Sequence, residues 1–371
     1  MNRRLWLPLL ALLTVSACRS VSVPSTTEEV PFIERQRLYA PGDYGSANWR
    51  IPALLCLDDG TLLAVNDKRK YNESDLPEDI DIVYRRSTDL GKTWSEPQTM
   101  IAGQGRGLGY GDPALVQCAN GEVLCLFAGH NGYFQSTVAK PISVFLIHSS
   151  DRGRSWSDTV NLTSVLWDAT SGYHGAFVAS GNGLRLKHGR HAGRVLFAAS
   201  LLRDGQYVSD NYVLYSDDNG RSWHRSQLAF SGGDESKLME LSDGRLLISV
   251  RRSGARGYNL SEDGGESWGE QGLWEEMATN ACNGDMLRVN DTLILHSIPN
   301  SMQRERVSIF SSSDEGRSWH SPVSLFEGPS VYSSLTLLPD GTIGAFIEQN
   351  PSVACELWYY RFNLAWLRSQ R

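Results

Sequence analysis

One eight-residue pattern occurs five times in the chain and restricts the possible folds more than any other feature. Each copy reads Ser-x-Asp-x-Gly-x-Ser/Thr-Trp. In such an octet the Asp carboxylate can cap turn amides, Gly supplies a positive φ, and Trp covers the turn with an apolar face. We therefore expect these aspartates to be structural. The copies begin at Ser87, Ser149, Ser216, Ser261 and Ser312.

The segments between the octets are typical of β-strands. Apolar or alternating runs precede the octets, such as ISVFLIH before the second and VSIFS before the fifth. Successive octet aspartates are 62, 67, 45 and 51 residues apart, and four-stranded propeller blades repeat at about 40–50 residues plus loops. The pattern predicts an all-β protein, a six-bladed β-propeller with four-stranded antiparallel blades, in which one blade lacks an octet.

The first 18 residues predict a lipoprotein signal peptide. Two arginines precede 11 apolar residues, and the tetrad VSAC that ends at Cys18 resembles a bacterial lipobox. We expect lipid attachment at Cys18, a flexible tether over residues 19–35, and the propeller domain over residues 36–371. An ordinary secretory signal is the alternative. The prediction places the protein outside the cytoplasm, in the bacterial cell envelope, anchored to a membrane through its lipid.

Charge and cysteine content exclude several function classes. The net charge of −7 provides no general attraction for nucleic acid. No C-x-x-C pair exists, so a zinc or redox motif is not indicated. Buried free thiols are the favoured interpretation of the later cysteines, and a cross-strand pair of Cys118 and Cys125 is the alternative. The later cysteines are Cys56, Cys118, Cys125, Cys282 and Cys355.

The octets resemble the Asp boxes, or BNR repeats, of bacterial sialidases, and further motifs follow in the order of that family. The segment WRIP resembles the Arg-Ile-Pro motif, in which Arg50 would be the first of three arginines that bind the substrate carboxylate. Downstream, Arg69 and Asp75 resemble a substrate-binding Arg and the acid/base Asp. Asp79 and Asp81 are alternatives to Asp75 because the segment is acidic.

Two later segments resemble parts of the family's substrate site. The segment YGDP resembles the step in which Asp112 would help to hold the O4 group of the sugar. The stretch from residue 234 to 251 resembles a hairpin in which Glu235 begins one strand and the second clamp arginine, Arg251, ends its partner. Glu240 and Arg252 are the alternatives within this hairpin.

The carboxy-terminal part supplies the remaining residues of the family pattern. Arg304 stands eight residues before the last octet, where the third clamp arginine belongs, and Arg306 is the alternative. The segment GPSVYSS resembles the one that carries the nucleophile, which would be Tyr332. Glu348 falls where the family places a carboxylate that braces the first arginine.

The resemblance covers about residues 36–365 and implies a retaining exo-α-sialidase that acts on sialylated glycans. Tyr332 would attack the anomeric carbon, assisted by Glu235 as base, and Asp75 would protonate the leaving oxygen and later activate water. The resemblance implies neither a metal nor an organic cofactor.

Two alternatives remain open. One is a propeller that binds sialosides without turnover, and the other is a trans-sialidase or a related ulosonic-acid hydrolase. Tyr332, Glu235 and Asp75 together favour an enzyme, because binding the carboxylate requires only the arginines.

Overall fold

Six sheets, each built around four antiparallel strands, form the six blades of a β-propeller, which confirms the predicted fold class. The structure, a computed structural model, describes residues 29–351 and 355–371, without the side chains of residues 279 and 280. The predicted signal peptide, the lipid attachment at Cys18 and most of the tether lie outside these residues and stay predictions. Within the described ranges, no helix is long and apolar enough to cross a membrane.

The first three blades follow one another along the chain after strand β1 (Ile33–Tyr39) and the short 3-10 helix Asp43–Gly45. Blade 1 contains β2 (Asn48–Cys56), β3 (Leu62–Arg69), β4 (Ile80–Ser87) and β5 (Gln98–Ile101). Blade 2 contains β6 (Gly109–Gln117), β7 (Val123–His130), β8 (Ile142–Ser149) and β9 (Val160–Asn161), and helix α1 (Thr163–Leu166) follows it. Blade 3 has as its main strands β10 (Tyr173–Val178), β13 (Val195–Arg203), β14 (Ser209–Ser216) and β15 (His224–Arg225). Three short strands extend these two sheets. In blade 2, β11 (Gly181–Asn182) pairs with β6, and in blade 3, β12 (Leu184–Arg185) and β16 (Phe230–Ser231) pair with β13 and β14.

The remaining strands complete the ring. Blade 4 contains β17 (Ser236–Glu240), β18 (Leu246–Val250), β19 (Ser253–Ser261) and β20 (Gly272–Asn280). Blade 5 contains β21 (Asp285–Asn290), β22 (Leu293–Pro299), β23 (Val307–Ser312) and β24 (His320–Ser324). Blade 6 contains β25 (Ser330–Leu337), β26 (Ile343–Gln349), β27 (Glu356–Phe362) and the first strand of the chain, β1. Helix α2 (Leu364–Ser369) ends the chain.

The amino-terminal strand closes the ring and corrects one predicted boundary. Strand β1 pairs antiparallel with β27, with Ile33 opposite Phe362. The propeller therefore begins at least three residues before the predicted start at residue 36. Residues 33–37 are all exposed at the outer edge of the blade, so the sequence there lacks the alternating apolar pattern by which a strand is recognised.

The closure also explains why one blade lacks an octet. In blades 1 to 5 the octet connects the third strand to the fourth. In blade 6 the third strand, β27, comes from the end of the chain and the fourth, β1, from its beginning. No turn joins these two strands, and the octet has no place there.

The octets hold their turns by a repeated set of hydrogen bonds, which the third copy illustrates. The Asp218 carboxylate accepts bonds from the Ser216 hydroxyl at 2.8 Å, the Ser222 amide at 2.8 Å and the Ser222 hydroxyl at 2.6 Å. Gly220 has a φ of 84°, and a Cβ there would lie 2.7 Å from a methyl of Leu124 in the preceding blade, blade 2. The octet therefore stabilises both its own turn and the contact between blades.

We expect Asp218→Asn to reduce the free energy of unfolding by about 1–2 kcal/mol at pH 7. Hydrogen bonds from Ser222 and Ser216 lower the pKa of Asp218 to about 2 in the folded protein. A lowered pKa stabilises the fold above the unfolded value of about 3.9, and this contribution disappears as the pH falls towards 2. Urea unfolding at pH 7 and pH 3, with the exposed Asp158→Asn as control, should show the destabilisation shrinking at pH 3. Equal destabilisation at both pH values would contradict the role of the ionised carboxylate.

The described cysteines are free thiols, which confirms the favoured interpretation. Four of them are buried and Cys56 is half-buried. Cys125 lies opposite Leu115 in the β6–β7 hairpin, whereas Cys118 lies at its turn. The alternative of a cross-strand pair is therefore wrong.

Candidate active site

The predicted site residues meet at one end of the propeller channel. The first strands of neighbouring blades contact one another around the centre, and they all begin at the same end. Seven of the predicted residues line a single cavity of about 580 Å³ there. They are Arg50, Asp75, Asp112, Glu235, Arg251, Arg304 and Tyr332.

Three of the central strands are bulged at the level of this cavity. The pairing register shifts between Arg50 and Ala53 in β2, between residues 111 and 114 in β6, and between residues 330 and 333 in β25. Two residues in these bulges, Ile51 and Asp112, have positive φ values of 61° and 59°. Such a backbone is costly for a non-glycine residue, and bulges near active sites redirect side chains. These bulges allow Arg50, Asp112 and Tyr332 to project into the cavity.

The centre of the site is a hydrogen-bonded group formed by Tyr332, Glu235 and Arg251. The Tyr332 hydroxyl donates to Glu235 Oε2 at 2.6 Å and accepts from Arg251 Nη1 at 2.8 Å. Arg251 also forms an ion pair with Glu235 and lies 3.3 Å from Asp234. Burial raises the pKa of Tyr332 well above its ordinary value, although Arg251 acts in the opposite direction. Tyr332 is therefore a neutral phenol placed against a carboxylate that can accept its proton.

Glu348 fixes the position of Arg50. Its side chain is fully buried and accepts from Arg50 Nε at 2.8 Å and from the Ile51 amide at 2.6 Å. Its other oxygen lies 3.3 Å from the Tyr332 amide. Burial disfavours the charged form of Arg50, but Glu348 outweighs burial and raises the pKa of Arg50 well above its usual value. One carboxylate thus braces both the first arginine and the strand that carries Tyr332.

Asp75 lies on the loop between β3 and β4, at the open side of the cavity. Its side chain is 80% exposed, and its Oδ1 lies 2.6 Å from the buried Arg69 guanidinium. Burial raises the pKa of Asp75, but the guanidinium groups of Arg69, Arg50 and Arg251 lower it by more. The pKa of Asp75 therefore lies below its ordinary value. The carboxyl of Asp75 is therefore ionised at neutral pH.

A buried carboxylate that sequence analysis missed, that of Asp67, connects Arg69 with Asp112. Asp67 lies two residues before Arg69 on the same face of β3, is fully buried, and approaches Arg69 Nη2 at 3.3 Å. Its other oxygen accepts from the Asp112 amide at 3.1 Å. Burial together with the charges of Asp67 and Asp75 raises the pKa of Asp112 well above its ordinary value. The shift favours the protonated form of Asp112, in which the carboxyl can donate a hydrogen bond.

The alternatives to Asp75 and Glu235 lie outside the cavity. Asp79 and Asp81 bind the Lys70 ammonium at 2.9 Å and 2.8 Å. Glu240 lies at the opposite end of β17, where it accepts from the backbone amides of residues 187 and 188. That end of the channel has its own cavity of about 720 Å³, and none of the predicted catalytic residues lines it.

The alternatives to the clamp arginines are also placed elsewhere. Arg306 donates to the Asn300 carbonyl at 2.8 Å and lines a separate surface cavity. Arg252 follows Arg251 but does not line the site cavity. Arg304, by contrast, lines the cavity and donates from Nη2 to the Ala281 carbonyl at 3.0 Å.

An apolar wall completes the cavity, and sequence reasoning missed it. Leu76, Ile142 and Phe177 line the cavity and belong to one buried cluster, and Tyr133, which also lines the cavity, packs against that cluster. They come from loops and strands of three blades, so no local pattern in the sequence joins them.

The chain resembles known proteins along most of its length. It matches the family model of the BNR repeat-like domain over residues 60–345. It is 34% identical to a sialidase of Micromonospora viridifaciens over 366 residues, which covers 91% of this chain and 55% of the relative. A sialidase of Bacteroides fragilis is 27% identical over 83% of this chain and 61% of the relative. This chain therefore spans less than two thirds of the length of these two relatives.

A fungal relative and two solved structures match more of their own length. The exo-alpha-sialidase of Aspergillus fumigatus is 27% identical over 92% of this chain and 91% of the relative. The Hadza microbial sialidase Hz136 superposes with a TM-score of 0.78 at 27% identity, covering 87% of this chain and 67% of that one. The intramolecular trans-sialidase of Ruminococcus gnavus has the same fold, with a TM-score of 0.79 at 21% identity over 90% and 98% of the two chains. The chain therefore belongs to the BNR repeat-like domain family, and the relatives named above are sialidases.

Proposed function

We propose that this protein is a retaining exo-α-sialidase that hydrolyses terminal sialic acid from glycoconjugates through a tyrosyl-sugar intermediate. The observation that carries the proposal is the 2.6 Å hydrogen bond from Tyr332 to Glu235 in a cavity whose lining includes Arg50, Arg251 and Arg304. Sialylated glycans are the proposed partners. The named relatives support this substrate class.

The three arginines suit a substrate with a carboxylate on its anomeric carbon. Arg50, Arg251 and Arg304 come from three different blades and line one cavity. Like charges held together repel one another, and a bound carboxylate relieves this repulsion through charge-assisted hydrogen bonds of about 1.5–3 kcal/mol each. A sialic acid carboxylate placed there would bring its anomeric carbon towards Tyr332.

A tyrosine nucleophile suits the same substrate. An anionic nucleophile would be repelled by the carboxylate beside the anomeric carbon, and a neutral phenol avoids this repulsion until its proton leaves. Glu235 takes the proton as Tyr332 attacks, and Arg251 stabilises the developing negative charge on the phenol oxygen. Sialidases are a known exception to the usual pair of carboxylates in glycosidases.

The rest of the cavity suits the remaining parts of the sugar. Asp75 is on the exposed side, where the glycosidic oxygen would leave, and serves first as acid and then as base. Arg69 and Asp112 would bind ring hydroxyls. The apolar wall around Phe177 would receive the methyl group of the N-acyl substituent.

Two measurements test this function. Proton NMR of a sialoside during hydrolysis should show the α-anomer of sialic acid first, because two displacements retain the configuration. Incubation with 2,3-difluorosialic acid should add one sugar to the peptide that contains Tyr332, as seen by mass spectrometry. Release of the β-anomer first, or labelling of a carboxylate instead, would contradict the proposed mechanism.

The same experiments separate the alternatives. A binding protein would leave the sialoside intact, although Tyr332 and Glu235 have no evident use in binding alone. An intramolecular trans-sialidase would yield an anhydro sugar in place of free sialic acid, and the NMR spectrum distinguishes the two products.

A further inference from the structure

A fourth arginine lies beneath the site and has no carboxylate partner. Arg256 is 0% exposed. Its Nε donates to the Ser249 hydroxyl at 2.6 Å and its Nη1 to the Cys282 carbonyl at 2.9 Å. Among the described residues no carboxylate forms an ion pair with it, in contrast to the other fully buried arginine, Arg69, which contacts two.

Such a residue is difficult to explain by stability. Burial lowers the pKa of Arg256 to about 10, so that the guanidinium stays charged at neutral pH. A buried charge that has no opposite charge within ion-pair distance is unfavourable for stability. The presence of Arg256 therefore points to a role in the site above it.

The carbonyl that Arg256 binds belongs to a turn that touches two site residues. In this turn Ala281 has a φ of 32°, and its carbonyl accepts from Arg304 Nη2 at 3.0 Å. The next residue, Cys282, packs in a buried cluster with Tyr332. Arg256 thus holds from below the turn that directs the Arg304 guanidinium.

The Ser249 hydroxyl, which accepts from Arg256 Nε, belongs to a row of neutral hydrogen-bonded groups. The Ser249 hydroxyl lies 2.9 Å from His296 Nε2, and His296 Nδ1 lies 3.3 Å from the Ser297 carbonyl. Burial and the charge of Arg256 keep the pKa of His296 well below its ordinary value. A neutral His296 with its proton on Nδ1 can accept a hydrogen bond at Nε2 from the Ser249 hydroxyl, while the Ser249 oxygen accepts one from Arg256. The guanidinium is therefore held at both ends.

We propose that Arg256 is a positioning residue, which fixes the turn at Ala281 and Cys282 and thereby aims Arg304 at the substrate carboxylate. The inference rests on the proposed function, because it concerns how a sialoside carboxylate is bound. Arg256 itself does not line the cavity and touches no substrate.

The test is a double-mutant cycle. We expect Arg256→Met to raise KM for a fluorogenic sialoside, and the Kd for free sialic acid by calorimetry, about tenfold. In an Arg304→Ala background the same substitution should change either value less than about twofold, since the residue it acts through is already absent. Unchanged KM and Kd in Arg256→Met, or a full tenfold effect in the Arg304→Ala background, would overturn the proposal.

Stability measurements separate positioning from support of the fold. Arg256→Met should lower the melting temperature less than a matched control that breaks buried ion pairs, because it removes hydrogen bonds but no ion pair. The control is Arg194→Met, since Arg194 is also buried but pairs with Asp217 and Glu266 away from the site. It should lower the melting temperature and leave KM unchanged.

A charge-conserving variant covers the case in which Arg256→Met does not fold. Arg256→Lys keeps the charge but cannot reach both anchors, and we expect a smaller rise in KM, of about threefold or more. A wild-type KM in this variant would overturn the proposal. Wild-type protein that neither hydrolyses sialosides nor binds sialic acid would instead contradict the proposed function, which is a distinct result.

Discussion

We expect Tyr332→Phe to lower kcat/KM for a fluorogenic sialoside at least about a hundredfold. The substitution removes the oxygen that would bond to the anomeric carbon, while the ring stays in its buried place. Glu235 and Arg251 remain paired with each other, so the clamp for the carboxylate stays intact. The Kd for free sialic acid should therefore change little. Initial rates and calorimetry on the same preparation measure the two quantities.

A matched variant distinguishes loss of the nucleophile from general damage to the blade. Tyr360 is buried in the same sheet, and its hydroxyl accepts from Gln349 at 2.6 Å. Tyr360→Phe should keep kcat/KM near the wild-type value, with at most a small loss of stability. Full activity in Tyr332→Phe would show that another group attacks the sugar, and an equal loss in both variants would point to a structural effect.

The fold was predictable because each octet forms a turn from residues that are close together in the sequence. Its Ser, Asp, Gly and Trp act within one turn, so their spacing in the sequence is their spacing in the structure. The boundary of strand β1 was not predictable in this way. That strand depends on pairing with β27 more than 300 residues later, and its exposed residues from Ile33 to Arg37 carry no apolar pattern.

The candidate site was predictable only in part, for a related reason. Arg50, Glu235 and Tyr332 were found because they resemble family motifs, and the structure brings them to one cavity. Asp67 could have been noticed, since it shares a strand face with Arg69. Arg256 could not, because arginine is usually exposed and its burial follows from the packing of blades.

If Asp75 is the acid, the fall in kcat/KM on its removal should depend on the leaving group of the substrate. We expect Asp75→Ala to lower kcat/KM about 10³-fold or more for sialyllactose, because a departing sugar alkoxide needs a proton. For a 4-nitrophenyl sialoside the loss should be much smaller, since the phenolate leaves without one. Free sialic acid release from both substrates measures the ratio. Asp79→Ala, which removes a carboxylate bound to Lys70 outside the cavity, should lower neither rate by more than about twofold.

The charges of the clamp explain how an exposed, ionised carboxylate could serve as the acid. In the free protein Arg69, Arg50 and Arg251 together keep the pKa of Asp75 below its ordinary value. A substrate carboxylate bound to the clamp offsets the charges of Arg50 and Arg251, so the pKa of Asp75 should rise when substrate binds. The pH profile of kcat reports the pKa of the acid in the enzyme–substrate complex, and that of kcat/KM its pKa in the free enzyme. The alkaline limb of the kcat profile should then lie at higher pH than that of the kcat/KM profile. Coincident limbs, or equal losses for both leaving groups in Asp75→Ala, would show that another group supplies the proton.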